Sequence, residues 1–206
     1  YEELKLFAKQ HDDIDLMPWD SAYYSEIIRQ QKYKYSSNDY RDYFPFEQVM
    51  SGLFEIVSKV FSLQIKQVSD VPTWNDEVSL YQVSDSTGDI RGYFYIDLYA
   101  REKKRGGAWM DDCRTRRLKS DGKIQLPIAF LNCNFSPAIG DDPALLTHDD
   151  VVTVFHEFGH TLHHILTKVD YSGVSGISGV MWDAVELPSQ FLEHWSYSRE
   201  GLEILG

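Results

Sequence analysis

Five of the seven histidines lie within residues 148–164, and this clustering is the first chemical feature of the sequence. Residues 156–160 read His-Glu-Phe-Gly-His, an H-E-x-x-H pattern. Two histidines four residues apart on a helix share one face, with Cβ atoms about 6 Å apart, so their imidazoles can converge on one zinc ion. Glu157 flanks that face, where a carboxylate can act as general base toward an activated water. The pattern predicts a hydrolytic zinc site with His156 and His160 as ligands.

The residues around this pattern predict that both histidines lie on one helix. Thr147 begins a stretch that resembles a capping box, with Asp150 in place of the usual Glu or Gln. Apolar residues then recur at helical spacing as far as about residue 168. A helix over this stretch would stack the two imidazoles one above the other.

The same helix cannot supply the third ligand. A catalytic zinc needs three protein ligands and an open fourth position. His164 lies two turns beyond His156, about 12 Å along the helix axis, and a rigid helix cannot wrap three stacked residues around one ion. The longer metzincin pattern also fails, because it requires Gly at 163 and His at 166, where this chain has His163 and Leu166.

An acidic residue on a second helix is the remaining source of a third ligand. Residues 182–197 predict such a helix, and Glu186 follows His160 by enough residues for a loop and a return. Asp183, one turn earlier, and Glu193, two turns later, are alternatives that the spacing leaves open. The loop before this helix contains three Ser-Gly pairs, which indicate either backbone that turns and closely approaches a ligand or a flexible linker.

Helical periodicity dominates the first 64 residues and predicts three helices separated by polar turns. The second covers residues 21–33, with Asp20 as its N-cap, and the third follows Pro45. Their apolar positions are expected to form core.

The middle of the chain has the pattern of strands. Residues 78–83 and 90–99 are rich in β-branched and aromatic side chains and flank a turn cluster, which predicts a hairpin, and residues 124–135 predict a further strand. The predicted fold class is therefore mainly α with a small, antiparallel-rich β-sheet (α+β). We expect residues 1–75 to form a helical segment and residues 76–206 to combine the sheet with the zinc-binding helices, together making one incomplete catalytic domain.

Composition excludes several classes of protein. The 206 residues include 20 Lys and Arg and 32 Asp and Glu, giving a net charge of −12, which argues against a general nucleic-acid binder. No apolar run is long enough to span a bilayer. Two cysteines, Cys113 and Cys133, fit a reducing compartment, so we expect a cytoplasmic location.

The chain begins at Tyr1 without an initiator methionine, and we expect it to be a piece of a longer protein.

Residues 101–123, the basic segment, contain nine of the 20 basic residues and four acidic ones. The concentration of charge is compatible with a solvated, mobile loop or with a site for carboxylates or phosphates. A loop that contacts the carboxylate end of a peptide is a third interpretation.

Three separated runs resemble the thimet oligopeptidase/neurolysin family of zinc peptidases. They are GYFYIDLY at residues 92–99, FHEFGH at residues 155–160 and ELPSQ at residues 186–190. The resemblance is strong over residues 78–195, and three motifs in the right order make it specific. It implies a fragment of a larger helical peptidase domain with a zincin-like H-E-x-x-H helix.

The resemblance also implies roles for individual residues. It implies a gluzincin site that holds one Zn²⁺ per chain, with His156, His160 and Glu186 as ligands and Glu157 as general base. It favours Glu186 over the other two acids, and leaves Asp183 either as a hydrogen-bond partner of a ligand histidine or as an N-cap.

The expected substrates and partners follow from the same resemblance. Family members admit short, unfolded peptides into a channel lined by a small sheet, and we expect residues 132–135 to form the edge of that sheet, where a peptide could add as a strand. We expect a monomer with no nucleic-acid or membrane partner.

The resemblance does not extend to the residues that stabilise the oxyanion. The Tyr and His residues with which family members stabilise the oxyanion follow the third ligand at a distance, and no corresponding motif is present here. We therefore expect this chain alone to cleave peptides poorly. The alternative function is a non-catalytic module that binds zinc or peptides, against which Glu157 argues because a structural site has no use for a base.

Overall fold

The computed structural model describes residues 1–140 and 142–206, the side chain of Ser37 excepted. The helices are α1 Glu2–Asp12, α2 Ser21–Tyr33, α3 Phe46–Phe61, α4 His148–Ile165, α5 Leu187–Tyr197 and α6 Arg199–Leu205. The strands are β1 Gln64–Val68, β2 Ser79–Ser84, β3 Ile90–Tyr99, β4 Trp109–Arg114, β5 Arg117–Leu118, β6 Ile124–Gln125 and β7 Ile128–Phe135. The chain therefore has the predicted α+β class. None of the described helices is both long enough and apolar enough to cross a bilayer.

The main sheet has five strands in the order β1-β2-β3-β7-β4. The predicted hairpin is present, because β2 and β3 pair antiparallel with Leu80 opposite Tyr95. The pairs β1–β2 and β4–β7 are also antiparallel, whereas β3 and β7 run parallel. The sheet is thus antiparallel-rich, with one parallel pair.

Two strand boundaries differ from the predicted ones. Strand β1 begins at Gln64, so the sheet starts before residue 75, where we expected the helical segment to end. The single strand expected over residues 124–135 is divided, because Pro127 lies between β6 and β7 and has no N–H to donate to a ladder. Strand β6 pairs instead with β5 in a separate two-stranded sheet.

The prediction that residues 132–135 form the edge of the sheet is wrong. They belong to β7, which lies between β3 and β4, so the edge strand on this side is β4. The prediction rested on the backbone hydrogen bonds that a peptide would gain at such an edge. Asn134, however, donates to the carbonyls of Arg105 and Gly107 at 2.8 and 2.7 Å and so holds the loop that leads into β4.

Helices α3 and α4 pack on the sheet and form the core with it. Leu53 of α3 and Phe155 and Phe158 of α4 are completely buried. The Phe158 ring meets the ring of Phe94 on β3 edge-on, with centroids 5.2 Å apart. Since each such side chain contributes about 1.5–3 kcal/mol when buried, this layer fixes α4 firmly against the sheet.

Helices α1 and α2 form a small cluster of their own. Ala8 and Tyr24 are buried there, and the Tyr24 hydroxyl donates to Asp12 Oδ2 at 2.6 Å. Asp20 precedes α2 as predicted, but its carboxylate accepts from the N–H of Met17 at 3.0 Å and does not cap the helix. The backbone of Asp20 is already helical (φ −85°, ψ −15°), whereas a capping residue is normally extended.

A buried cluster around Asp97 holds the end of β3. Arg101 donates to both carboxylate oxygens of Asp97, at 2.6 and 2.8 Å. Lys104 Nζ donates to the same carboxylate at 2.7 Å and to the carbonyl of Cys133 on β7 at 2.6 Å. Trp74 Nε1 donates to the second carboxylate oxygen at 2.9 Å. Two cations of the basic segment therefore stabilise the fold.

Folding stability should depend on the ionisation of Asp97. Burial alone would raise the pKa of Asp97, but hydrogen bonds from Arg101, Lys104 and Trp74 outweigh it and lower the pKa from 3.8 to about 2. A carboxylate whose pKa is lower in the folded than in the unfolded chain stabilises the fold above its unfolded pKa, and this contribution is lost as the pH falls toward the folded value. We expect urea unfolding to show a loss of about 2 kcal/mol across that window. Asp97→Asn should remove this pH dependence of the free energy of unfolding, and the exposed Asp76→Asn should keep it. An unchanged pH dependence in Asp97→Asn would contradict this assignment.

Candidate metal centre

Helix α4 carries both histidines of the H-E-x-x-H pattern. The predicted capping box is present, since Thr147 Oγ1 accepts from the N–H of Asp150 at 3.1 Å and Asp150 Oδ2 accepts from the N–H of Thr147 at 2.9 Å. The helix ends at Ile165, a little before the predicted end. His156 and His160 lie on one face with ring centroids 4.9 Å apart.

Glu186 faces the two imidazoles from the residue immediately before α5. Its Oε2 lies 3.2 Å from Nε2 of His156 and 3.1 Å from Nε2 of His160. Burial alone would raise the pKa of Glu186, but a hydrogen bond from Ser189 Oγ and the two imidazoles lower it. Within the described residues no other group of three His, Cys, Asp or Glu side chains places its ligand atoms within 4.8 Å of one another.

A glycine allows the two helices to approach this closely. A Cβ on Gly159 of α4 would lie 2.5 Å from the carbonyl oxygen of Pro188 and 2.6 Å from Cα of Ser189, both at the start of α5. Ser189 is itself completely buried in this contact. Because α5 sits directly on the α4 backbone, Glu186 reaches the histidines.

The donor set and its spacing fit a zinc ion. Two ligands that are each about 2.0–2.1 Å from one ion lie about 3.3 Å apart at the tetrahedral angle, close to the separations of Glu186 from the imidazoles. Glu193 Oε1 lies 2.5 Å from Nδ1 of His156, where a carboxylate accepts the ring N–H. Nε2 of a neutral His156 then points its lone pair at the carboxylate of Glu186. A divalent cation between the two would bind the lone pair and the carboxylate together. Burial lowers the pKa of His160, which favours the neutral ring that a metal requires.

The contact of Glu193 with His156 was not predicted from the sequence. Glu193 appeared there only as an alternative third ligand, whereas Asp183 was expected either to hydrogen-bond a ligand histidine or to be the N-cap of the helix. Asp183 is exposed and has no hydrogen bond among the described residues, and the N-cap of α5 is Glu186. The available signal was spacing, because Glu193 lies two turns after Glu186 on the same helix and returns to the same face.

Glu157 lies in the same cavity, whose volume is about 480 Å³. Only 7% of the residue is exposed. Burial raises the pKa of Glu157, while a hydrogen bond from the backbone of Met110 and, when its ring is protonated, His156 act in the opposite direction. A buried carboxylate beside the ligands is placed to take a proton from water and to return it.

Two segments wall this cavity. The edge strand β4 contributes Trp109 and Met110, and the loop of residues 171–180, here called the glycine loop, contributes Ile177 and Val180. The glycine loop has left-handed backbone at Gly176 and Gly179, with φ of 62° and 75°, so two of its three glycines serve turns, whereas Gly173 does not have a left-handed backbone.

The family model described as Peptidase family M3 matches residues 1–205. The chain belongs to this family. Oligopeptidase A of Escherichia coli is 50% identical over 204 residues, which cover 98% of this chain and 30% of the relative. A thimet-like oligopeptidase of Dictyostelium discoideum is 39% identical over 186 residues, covering 89% of this chain and 28% of the relative, which confirms the resemblance seen in the three motifs.

Other relatives of the chain carry a different name. The dipeptidyl carboxypeptidase of Escherichia coli is 34% identical over 189 residues, covering 91% of this chain and 27% of the relative. The chain thus spans about 30% or less of the length of the curated relatives described here.

Removing the charge of Glu193 should weaken metal binding. Glu193→Gln keeps an acceptor for the N–H of His156 but removes the charge that makes the ring a better ligand. We expect zinc affinity, measured by chelator competition, to fall about tenfold. Glu200→Gln on the exposed face of α6 is the matched control, and equal affinities for the two variants would contradict the role of Glu193.

A side chain at Gly159 should force the helices apart. In Gly159→Ala the added methyl group overlaps the α5 backbone, so Glu186 moves away from the histidines. We expect the variant to lose about 1–3 kcal/mol of stability in urea unfolding and to bind zinc more weakly. Gly106→Ala, whose Cβ would have open space, should change neither measurement.

Proposed function

We propose that this chain carries the zinc site of a peptidase that hydrolyses peptide bonds in short oligopeptides. The observation that supports this most directly is the convergence of His156, His160 and Glu186 next to the buried Glu157. Membership of peptidase family M3 supports the same function. The site would be a gluzincin centre with one Zn²⁺ per chain.

The residues of the chain can perform hydrolysis in two proton transfers. A zinc ion in this site supplies Lewis-acid chemistry, polarising a peptide carbonyl and acidifying nearby water. Glu157 takes a proton from water as the water oxygen attacks the carbonyl carbon, and then gives it to the amine nitrogen as the C–N bond breaks. The carboxylate of Glu157 is thereby restored. Glu193 holds the ring of His156 in orientation throughout.

Strand β4 is the proposed binding edge for the peptide. It lies at the edge of the sheet, and its residues Trp109 and Met110 line the cavity beside Glu157. A peptide that adds to such an edge gains main-chain hydrogen bonds without demanding a particular sequence. This assignment replaces the expected edge at residues 132–135.

We further propose that the 206 residues alone bind zinc but turn over peptides slowly. The chain spans 30% of the length of oligopeptidase A, and the family resemblance implies oxyanion-stabilising residues beyond the third ligand. The lack of one such donor reduces the rate by about 10²–10³. Robust cleavage of a quenched fluorescent peptide by the 206-residue chain would contradict this proposal.

The proposed setting is a monomer that acts on peptides in the cytoplasm, without nucleic-acid or membrane partners. The net charge of −12 supports the absence of a nucleic-acid partner. A relative in Arabidopsis thaliana is named a probable cytosolic oligopeptidase A, and another is named chloroplastic/mitochondrial. The name of the cytosolic relative supports a cytoplasmic location.

Replacing the proposed base separates metal binding from catalysis. Glu157→Gln should retain zinc and lose about 10²–10⁴ in peptide hydrolysis, because the amide cannot accept the proton. Zinc content and cleavage of a quenched peptide are measured for the complete peptidase, with Glu55→Gln on α3 as the control. Unchanged activity in Glu157→Gln would refute the role of Glu157, and a zinc-loaded wild-type enzyme without activity would favour the non-catalytic module.

A further inference from the structure

His164 is a completely buried histidine on α4 that the proposed reaction does not use. It lies one turn beyond His160, outside the group of residues that converge on the metal position. Both of its ring nitrogens contact backbone groups of other segments. We propose that His164 is a positioning residue that holds the two walls of the metal cavity, strand β4 and the glycine loop, in place. The proposal rests on the proposed function, since it concerns the same cavity.

The first contact is with the end of strand β4. Nε2 of His164 lies 2.8 Å from the carbonyl oxygen of Arg114, the last residue of the strand. Because a carbonyl only accepts, Nε2 must carry the proton. The pairing of β4 with β7 is irregular between Asp112 and Arg114, so the regular ladder is interrupted just where His164 binds. His164 therefore anchors the end of the strand whose beginning lines the cavity.

The second contact is with the glycine loop. With the proton on Nε2, Nδ1 of the neutral ring is an acceptor, and the N–H of Ile177 points to it at 3.5 Å. The preceding Gly176 has φ 62°, and a Cβ there would lie 2.6 Å from Nδ1 of His164. The loop thus docks on the imidazole through a residue without a side chain. Ile177 and Val180, which follow, line the cavity.

The neighbouring histidine provides a contrast within the same turn. His163 is half-buried, and its Nδ1 has no hydrogen-bond partner among the described residues. It lines a second, apolar cavity of about 780 Å³ together with Val174, Gly176 and Val180, so it lies near the glycine loop without a hydrogen bond to it. A histidine at this end of α4 therefore does not in itself connect β4 with the glycine loop. The difference makes His163 a matched control for His164.

Two conservative variants separate the two contacts. In His164→Gln the side-chain amide can still donate near the position of Nε2, but no acceptor remains near Nδ1. In His164→Asn an acceptor remains near Nδ1, but no donor reaches Arg114. We expect amide hydrogen exchange to become about tenfold faster in the glycine loop of His164→Gln, and in β4 of His164→Asn, with the other segment protected as in wild type.

The kinetic expectation is a change in substrate binding alone. Both variants should raise KM for a quenched peptide about fivefold to tenfold in the complete peptidase, while kcat and zinc affinity stay within about twofold. His163→Gln should alter none of these quantities. If circular dichroism shows that one His164 variant is unfolded, the other variant still tests the contact that it removes.

Two results would overturn the proposal. One is wild-type exchange in both segments of a folded His164 variant, and the other is a loss of zinc affinity as large as the rise in KM, which would mean that His164 acts through α4. Exchange and zinc binding are measured without peptide. Segment-specific exchange together with no hydrolysis by zinc-loaded wild type would therefore support the anchoring and refute the proposed function.

Discussion

The contact of helix α5 with the backbone of α4 at Gly159 is the constraint on which the candidate centre depends. Two imidazoles on one helix define only half of a metal site, and the third ligand has to come from a second helix at close range. The absence of a Cβ at Gly159 brings the start of α5 against α4, with Ser189 buried between them. Glu186, the residue before α5, then lies about 3 Å from both histidines.

Helix α5 also supplies the groups that orient the site. Ser189 donates to the carboxylate of Glu186, and Glu193 binds the outer nitrogen of His156. Since these partners and Glu186 belong to one rigid segment, a single docking event places the third ligand and the groups around it. The sheet holds α4 on its other side through Phe155 and Phe158, so the site stands between two packed layers.

The sequence predicted well the features that depend on local spacing. The capping box at Thr147 and the β2–β3 hairpin each depend on residues close together in the chain, and both are present. Most of the expected core positions of α3 are buried, whereas Leu6 of α1 and Phe61 of α3 are exposed. Features set by long-range packing were predicted less well. The edge strand was misplaced because the alternation of apolar and polar residues along β7 does not show that β7 pairs with both β3 and β4. Asn134, moreover, binds a loop that is distant in the sequence.

By itself, the sequence determined the chemistry that the chain can offer: two imidazoles one helical turn apart, a carboxylate between them and an acid on a following helix. Motif resemblance favoured Glu186 among three acids. The tertiary structure alone decided that Glu193 orients His156, that β4 forms the edge, and that His164 contacts both cavity walls. The physical reason is that ligand spacing along a helix is fixed by local geometry, whereas these contacts join residues far apart in the chain and exist only once the helices and the sheet have packed together.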